Sequence, residues 1–590
     1  MRSTKRTRTL ALLGAVAFVA AACGSSKSSS GTTTSAASSS TAASSSSSAA
    51  ASSTTAAASS SSSASSSFKA LAYDESAKCG QKGVYEGNIA KIEAVDENTV
   101  KFTMCQPDVA FPSKVAFASF AVSPAAYLDK AGTTQGGDLS NKPIGTGPYV
   151  LKAWEKGSQI VLERNDNYWG TKPAVKTVTV RWQKDAAQRL VDLQSGQADG
   201  IDNVGTDDFA KIKADTSLQL VDRPATNVFY LGMNDTIKPF DNEKVREAVG
   251  YAIDKQKIVD NFYPKGSTVA SQFLPAAIPG YTKGFTDFTY DVAKAKQLLT
   301  DAGFPNGFSV KLSYRDVVRG YLPQPTPIAT EIQSELAKVG IKVELDVQES
   351  TTLLDNAAAG KLPFHLLGWG ADYPDATNFL DYHFGKGASP QFGTGFSDIQ
   401  DLLTQAGALS DQAQRDALYA KANALIAQHA PLIPIANGGS GVAYKADVKG
   451  AQASPFGDEL FAAINNGKDQ FNWLQNGEPG GLYCADETDG ESLRVCAQIN
   501  ESLLAYEVNG TKVVPSLADK YEADSTLKVW TFHLHPGVKF SDGTPMTAND
   551  VVRSWRVQWD AKDPAHKGRT GDFNYFSSLF GGFLNPPPKS

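Results

Sequence analysis

Beyond Ser67 the chain alternates between two hydrophobic periods. In "IEAVDENTVKFTM", Val100, Phe102 and Met104 take every second position, the spacing of a half-buried strand. The segment "WTFHLHPGVKFSDGTPMTANDVV", residues 530 to 552, repeats it with Trp530, Phe532 and Leu534 set against Thr531, His533 and His535. A turn follows, Thr547 and Asp550 have the spacing of a capping box, and Val551 and Val552 open an apolar helix face. The clearest unit is "PTPIATEIQSELAKVGIKVELDVQ". Ile328, Ile332, Leu336 and Val339 form one helical stripe, Gly340 ends it, and Ile341, Val343, Leu345 and Val347 then alternate as a strand. "TYDVAKAKQLLTDAGF" predicts another helix, with Asp291 as N-cap and Gly303 just past its end. Units of this kind build a mixed α/β protein, and no repeat of 20 to 50 residues is visible.

The first 67 residues break this pattern. Arg2, Lys5, Arg6 and Arg8 precede an apolar run from Leu10 to Ala22, which falls short of the roughly 20 residues a bilayer span needs and reads as a secretion signal. The run ends at Cys23 in a context that resembles a lipobox, so residues 1–23 are expected to be a lipoprotein signal peptide with lipidation at Cys23. If the lipobox fails, the protein is simply secreted. From Gly24 to Ser67 the sequence is almost wholly Ser, Ala, Thr and Gly, which cannot bury enough apolar surface to fold. A tether with an r.m.s. reach of roughly 35–40 Å is expected.

At 590 residues the chain should hold two to four folding units. Its formal net charge of −6, with no basic cluster past the N-terminus, argues against nucleic-acid binding. Besides Cys23 there are four cysteines, and in an exported protein an even number suggests disulfides. Three pairings are possible; Cys484 with Cys496 and Cys79 with Cys105 are favoured because each pair lies in one local segment. Neither pair has CxxC spacing, which speaks against zinc. Enzyme signatures are missing: there is no GxxxxGK, HExxH, GxSxG or GxGxxG. His533 and His535 share a strand face without a third ligand and read as an edge-strand pair. No catalytic residue, metal or cofactor is assigned.

Five longer segments carry a resemblance: "KPIGTGPYVLKAWEKGSQIVLERNDNYWGTKP" (142–173), "SGQADGIDNV" (195–204), "KPFDNEKVREAVGYAIDKQKIV" (238–259), "GWGADYPDATNFL" (368–380) and "VVPSLADKYEADSTLKVWTFHLHPGVKFSDGTPMTANDVV" (513–552). Together they resemble the bacterial extracellular solute-binding proteins of peptide- and nickel-type ABC importers, family 5, which include dipeptide- and oligopeptide-binding proteins. Their order departs from the family's. Segments that usually open such a chain close this one, the pattern of a circular permutation with the old ends joined near 465–475.

The resemblance implies a two-lobe α/β fold of the periplasmic-binding type (type II, cluster C-like) with an extra small subdomain. The expected layout is a small subdomain from 68–122 and 521–590, lobe I from 123–233 and 435–520, and lobe II from 234–434. Crossings are expected near 225–234 and 431–438. It further implies that Asp372 pairs with a ligand ammonium and Arg319 with a ligand carboxylate, a task to which a planar guanidinium is suited. Trp369, Tyr321 and Tyr483 are the aromatic wall candidates, and Thr488 a contact from the loop after Cys484.

The function expected is a lipid-anchored, monomeric receptor on the extracytoplasmic face of the membrane, delivering a peptide or similar solute to an ABC permease and ATPase complex. A ligand sensor of the same fold, or an importer component for oligosaccharides, opines or metal chelates, remains open.

Overall fold

In the computed structural model the chain divides into Met1–Ser66 and Ser67–Ser590. The described residues are 68–586 apart from 133, 135, 136 and 318, so the signal, Cys23 and tether expectations lie outside them.

Three sheets organise the folded part. The first is an antiparallel meander in the order Ala72–Asp74, Ile89–Asp96, Thr99–Met104, Val529–Leu534, Ala518–Ala523. Its centre joins the two ends of the chain: Phe102 lies opposite Trp530 and Val100 opposite Phe532. The alternation seen in the sequence explains why, since both strands bury every second residue and so present apolar faces to one core. The helix Ala548–Trp559 covers that face. It is opened by Thr547 and Asp550, whose carboxylate accepts from the Thr547 amide at 2.8 Å and from its hydroxyl at 2.9 Å. Trp555 on this helix meets Phe102 edge-on at 4.8 Å and stacks on Phe120 at 5.0 Å. Each such fully buried aromatic contributes about 1.5–3 kcal/mol by removal from water. Because Val529–Leu534 is paired on both sides, the edge-strand reading of its histidines is corrected. His533 bonds Glu522 at 3.0 Å, while His535 lies past the strand end and packs on Trp169.

The second sheet has seven strands, ordered Tyr149–Glu155, Gln159–Arg164, Thr177–Trp182, Gln470–Gln475, Gly200–Ile201, Ser440–Lys445 and Leu218–Arg223. Gln470–Gln475 runs parallel to both its neighbours and buries Phe471 and Trp473 completely. Behind it four buried charges close a ring. Arg223 donates to Asp202 at 2.9 Å and Glu459 at 2.6 Å, and Arg494 donates to the same two carboxylates at 2.7 Å each. The ring is neutral, so each ion is paired despite burial.

The third sheet, in the order Thr268–Val269, Leu432–Asn437, Asn227–Met233, Phe364–Gly370, Ser309–Tyr314 and Lys342–Val347, forms the core of the other lobe. The helix Pro325–Ala337 buries Ile328, Ile332 and Leu336 against it, as the stripe predicts. The following strand is an edge, and its alternation fails at Val347, which is 58% exposed.

The chain passes between the second and third sheets twice. Leu218–Arg223 leads to Asn227–Met233 through residues 224–226, and Leu432–Asn437 leads to Ser440–Lys445 through 438–439. Each passage meets one end of the stretch expected from the sequence, at 225–226 and at 438, and the rest of each stretch is mostly strand, because strand periodicity does not change when a strand leaves one sheet for the next. Cys79–Cys105 and Cys484–Cys496 are disulfides.

Candidate functional site

The second passage is held to the first by one side chain. Asn227 donates to the Gly438 carbonyl and accepts from the Gly438 amide, both at 2.8 Å. Next to this clasp the strand Phe364–Gly370 ends, and the Ala371 amide donates to the Thr226 carbonyl at 2.8 Å. Asp372 is thereby fixed one residue beyond the crossing. Its amide donates to Asn378 Oδ1 at 3.0 Å, and Asn378 Nδ2 donates back to its carboxylate at 3.1 Å.

Asn378 ends the short turn Ala376–Asn378, which Asp375 caps by accepting from the Thr377 amide at 3.0 Å. Asp375 in turn takes both prongs of Arg415, at 2.9 and 2.7 Å, from the helix Gln412–His429. A buried bidentate ion pair thus sets the turn that sets Asp372. Burial pushes the Asp372 carboxyl up to about 6, against the downward pull of the Asn378 amide.

Aromatic residues of both lobes interact with this carboxylate or with its partner Asn378. On its own lobe Trp369 donates to Asn378 Oδ1 at 3.2 Å and stacks on Tyr382 at 4.4 Å, and Tyr382 is 51% exposed. From the other lobe come Tyr506 and Tyr575. The Tyr506 hydroxyl is raised by burial first and then by the charges of Asp458 and Asp372; that of Tyr575 by burial and then by Asp372 and Asp489. Asp489 caps the helix Gly490–Ile499, accepting from the Ser492 amide at 2.8 Å, and the exposed Thr488 directly precedes it. Nearby the lobes touch. Tyr373 is buried, with the Lys114 ammonium 5.4 Å from its ring centre, and Lys114 is paired with Asp108 at 2.7 Å.

Of the residues expected from the sequence, Asp372 and Trp369 come together through Asn378, while Thr488 is exposed just before the helix Gly490–Ile499. Tyr321 packs behind them. Its ring lies where a Cβ on Gly368 would sit, 2.2 Å from such an atom, and its hydroxyl accepts from Arg315 at 2.8 Å. Arg319 is exposed on a loop closed by its own backbone bond to Leu322, and that loop leans on the crossing through the Gly320 carbonyl. Tyr483 is corrected: it is 6% exposed and meets Phe573 edge-on in the core of the small subdomain, away from the cleft wall. Asn378, Tyr382, Tyr506 and Tyr575 were not expected. Asn378 and Tyr382 lie within or beside the "GWGADYPDATNFL" segment and were within reach of a residue-by-residue reading, whereas Tyr506 and Tyr575 reach the site only through tertiary packing.

A carboxylate held between two α/β lobes at their crossing is the arrangement of a solute-binding cleft. The family model for bacterial extracellular solute-binding proteins, family 5 middle, matches residues 40–391 and 512–575. The chain belongs to that family. It is similar to heme-binding protein A of Haemophilus influenzae, 32% identical over 68% of this chain and 71% of the relative. It is also similar to the dipeptide-binding protein of Escherichia coli, 34% identical over 64% of this chain and 71% of the relative. Among solved structures, HbpA2 of Haemophilus parasuis superimposes with a TM-score of 0.60 and 30% identity, covering 64% of this chain and 76% of that one. As a family 5 protein the chain is an extracytoplasmic solute-binding protein with a two-lobe fold, and it is not an enzyme. Among the described residues no helix is long and apolar enough to cross a membrane.

Proposed function

We propose that this receptor captures a short peptide or a similar amine-bearing solute between its lobes and delivers it to an ABC permease and ATPase complex, acting as a monomer anchored through lipid at Cys23. The observation that carries the ligand class is the Asp372 carboxylate at the crossing of the lobes, fastened by Asn378 beside the stacked Trp369 and Tyr382. A partly buried carboxylate held by a single amide discriminates for a cation. Closure about residues 224–226 and 438–439 would bring the rings of the second lobe over the bound ammonium. We further propose that the segment order is a circular permutation of the family's, a reading supported by the pairing of Val529–Leu534 with Thr99–Met104.

The stacked pair of half-buried Trp369 and exposed Tyr382 favours a second reading, in which the ligand presents a flat ring or sugar to that platform. Calorimetric titration of di- to hexapeptides, sugars and tetrapyrroles separates the two. Under the peptide reading Asp372→Asn weakens peptide binding by about 2–5 kcal/mol. Unchanged peptide affinity in that variant would leave the aromatic platform as the better account.

A further inference from the structure

We propose that the cavity under the hairpin formed by Leu504–Tyr506 and Val513–Pro515 is a specificity pocket for a cationic side chain of the ligand, with Asp458 as its anionic end. This rests on the peptide reading and narrows it to ligands that carry a second positive charge.

The cavity has a volume of about 340 Å³. That lies at the lower end of small-molecule sites, roughly 300–1,000 Å³, and suits one long side chain. Its hairpin roof is pinned at both sides of the tip. The Ala453 amide donates to Asn509 Oδ1 at 2.7 Å, and Thr511 Oγ1 donates to the Ala277 carbonyl of the other lobe at 3.0 Å. The roof therefore spans the two lobes, and the space beneath it is part of what closure shapes.

The lining is one-sided in charge. Asp458, Glu501 and Glu507 face the cavity, and no lysine, arginine or histidine lines it. The carboxylates have different roles. Glu501 accepts from the Tyr168 hydroxyl at 2.6 Å and from Trp169 Nε1 at 2.8 Å, so it is a positioning residue that fixes two aromatic walls. Glu507 is exposed at the rim. Asp458 is the interior group. Ser454 Oγ bonds one of its oxygens, and among the described residues no other side chain donates to it.

Tyr506 completes the wall and connects the pocket to the cleft. Its ring packs on Phe456 at 4.6 Å, and its hydroxyl is held by the Ser113 carbonyl at 2.8 Å. Ser113 directly precedes Lys114, whose ammonium lies over the ring of Tyr373 beside Asp372, so Tyr506 stands between the cavity and the cleft, and a ligand whose ammonium meets Asp372 can send a side chain past it toward Asp458. A carboxylate at the end of a passage walled by Trp169, Tyr168 and Tyr506 matches a lysine- or arginine-type group. The rings cover its methylenes and attract its charge, and the acid terminates it. An acidic side chain is repelled there, and an apolar one brings no charge to the carboxylate, which keeps its bond to Ser454.

The test is calorimetry on the full chain with dipeptides carrying lysine at either position, their norleucine and glutamate counterparts, and agmatine and spermidine as non-peptide cations. Wild-type protein is expected to bind at least one lysine peptide ten or more times tighter than its norleucine counterpart. In Asp458→Asn that ratio falls to within about twofold of one, while the norleucine peptide keeps its affinity. Equal wild-type affinity for lysine and norleucine peptides overturns the pocket and leaves the peptide reading standing; this comparison needs no variant to fold. If no peptide binds but agmatine or spermidine does, and Asp458→Asn abolishes that binding, the pocket stands and the peptide reading falls. If none of the probes binds, both fall.

Discussion

Asp372 is a carboxylate whose surroundings hold it near half-protonation at about pH 6, because burial outweighs its bond to Asn378. Its folded value lies above the ordinary 3.8. Between about pH 4 and 6 the folded chain therefore keeps a proton that the unfolded chain has released, and the empty receptor loses stability as pH rises through that window. A ligand ammonium offsets this cost and demands the ionised form. Affinity for a peptide ammonium is accordingly expected to fall below about pH 6, approaching tenfold per unit, and to weaken again near pH 8 as the ligand's own α-amine, ordinarily at about 8, gives up its proton. Calorimetry from pH 8 to 5 checks it, and a level profile counts against Asp372 as the ammonium's partner. Its place beside the crossing was legible because the "GWGADYPDATNFL" segment resembles the family's. Tyr483 was not, since an aromatic residue has the same letter in a wall and in a core, and only the position of Phe573 decides.

At the scale of elements, local signals were reliable and junctions were not. The capping box at Thr547, the Asp291 cap and the Ile328 stripe all appear where hydrophobic period and capping chemistry put them. The crossings were displaced by a few residues. What marks them is close backbone contact: a Cβ on Gly438 would lie 2.0 Å from the Gly320 carbonyl oxygen. Gly438→Ala must push the Gly320 loop off the crossing, and a loss of about 1–3 kcal/mol in urea unfolding is expected. Because that loop also carries Arg319 and Tyr321, ligand affinity should drop along with stability. Wild-type stability in this variant would mean that the loop yields freely and does not brace the crossing.

For the molecule as a whole, the two ends of the folded chain are neighbours in space. Residues 69 and 71 bond Asn549 in the first turn of the helix Ala548–Trp559, and Leu584 bonds Trp559 at its end. Those two attachment points are therefore roughly 15 Å apart along the helix at about 1.5 Å per residue. A reordered chain, opened in the exposed 467–469 turn and joined from 586 to 68 by about eight flexible residues, is expected to fold and to bind ligand within about threefold of the parent. Circular dichroism and calorimetry on that variant decide it, and failure to fold would count against the permutation. The two crossings have a mechanical consequence. They join strands that are neighbours in both lobes, a pair only about 5 Å apart, so they act as twin short straps that permit bending and resist twisting. Empty and filled receptors then differ by a single angle, and a transporter docking across both lobes needs no chemical contact with the cargo to know that it is there.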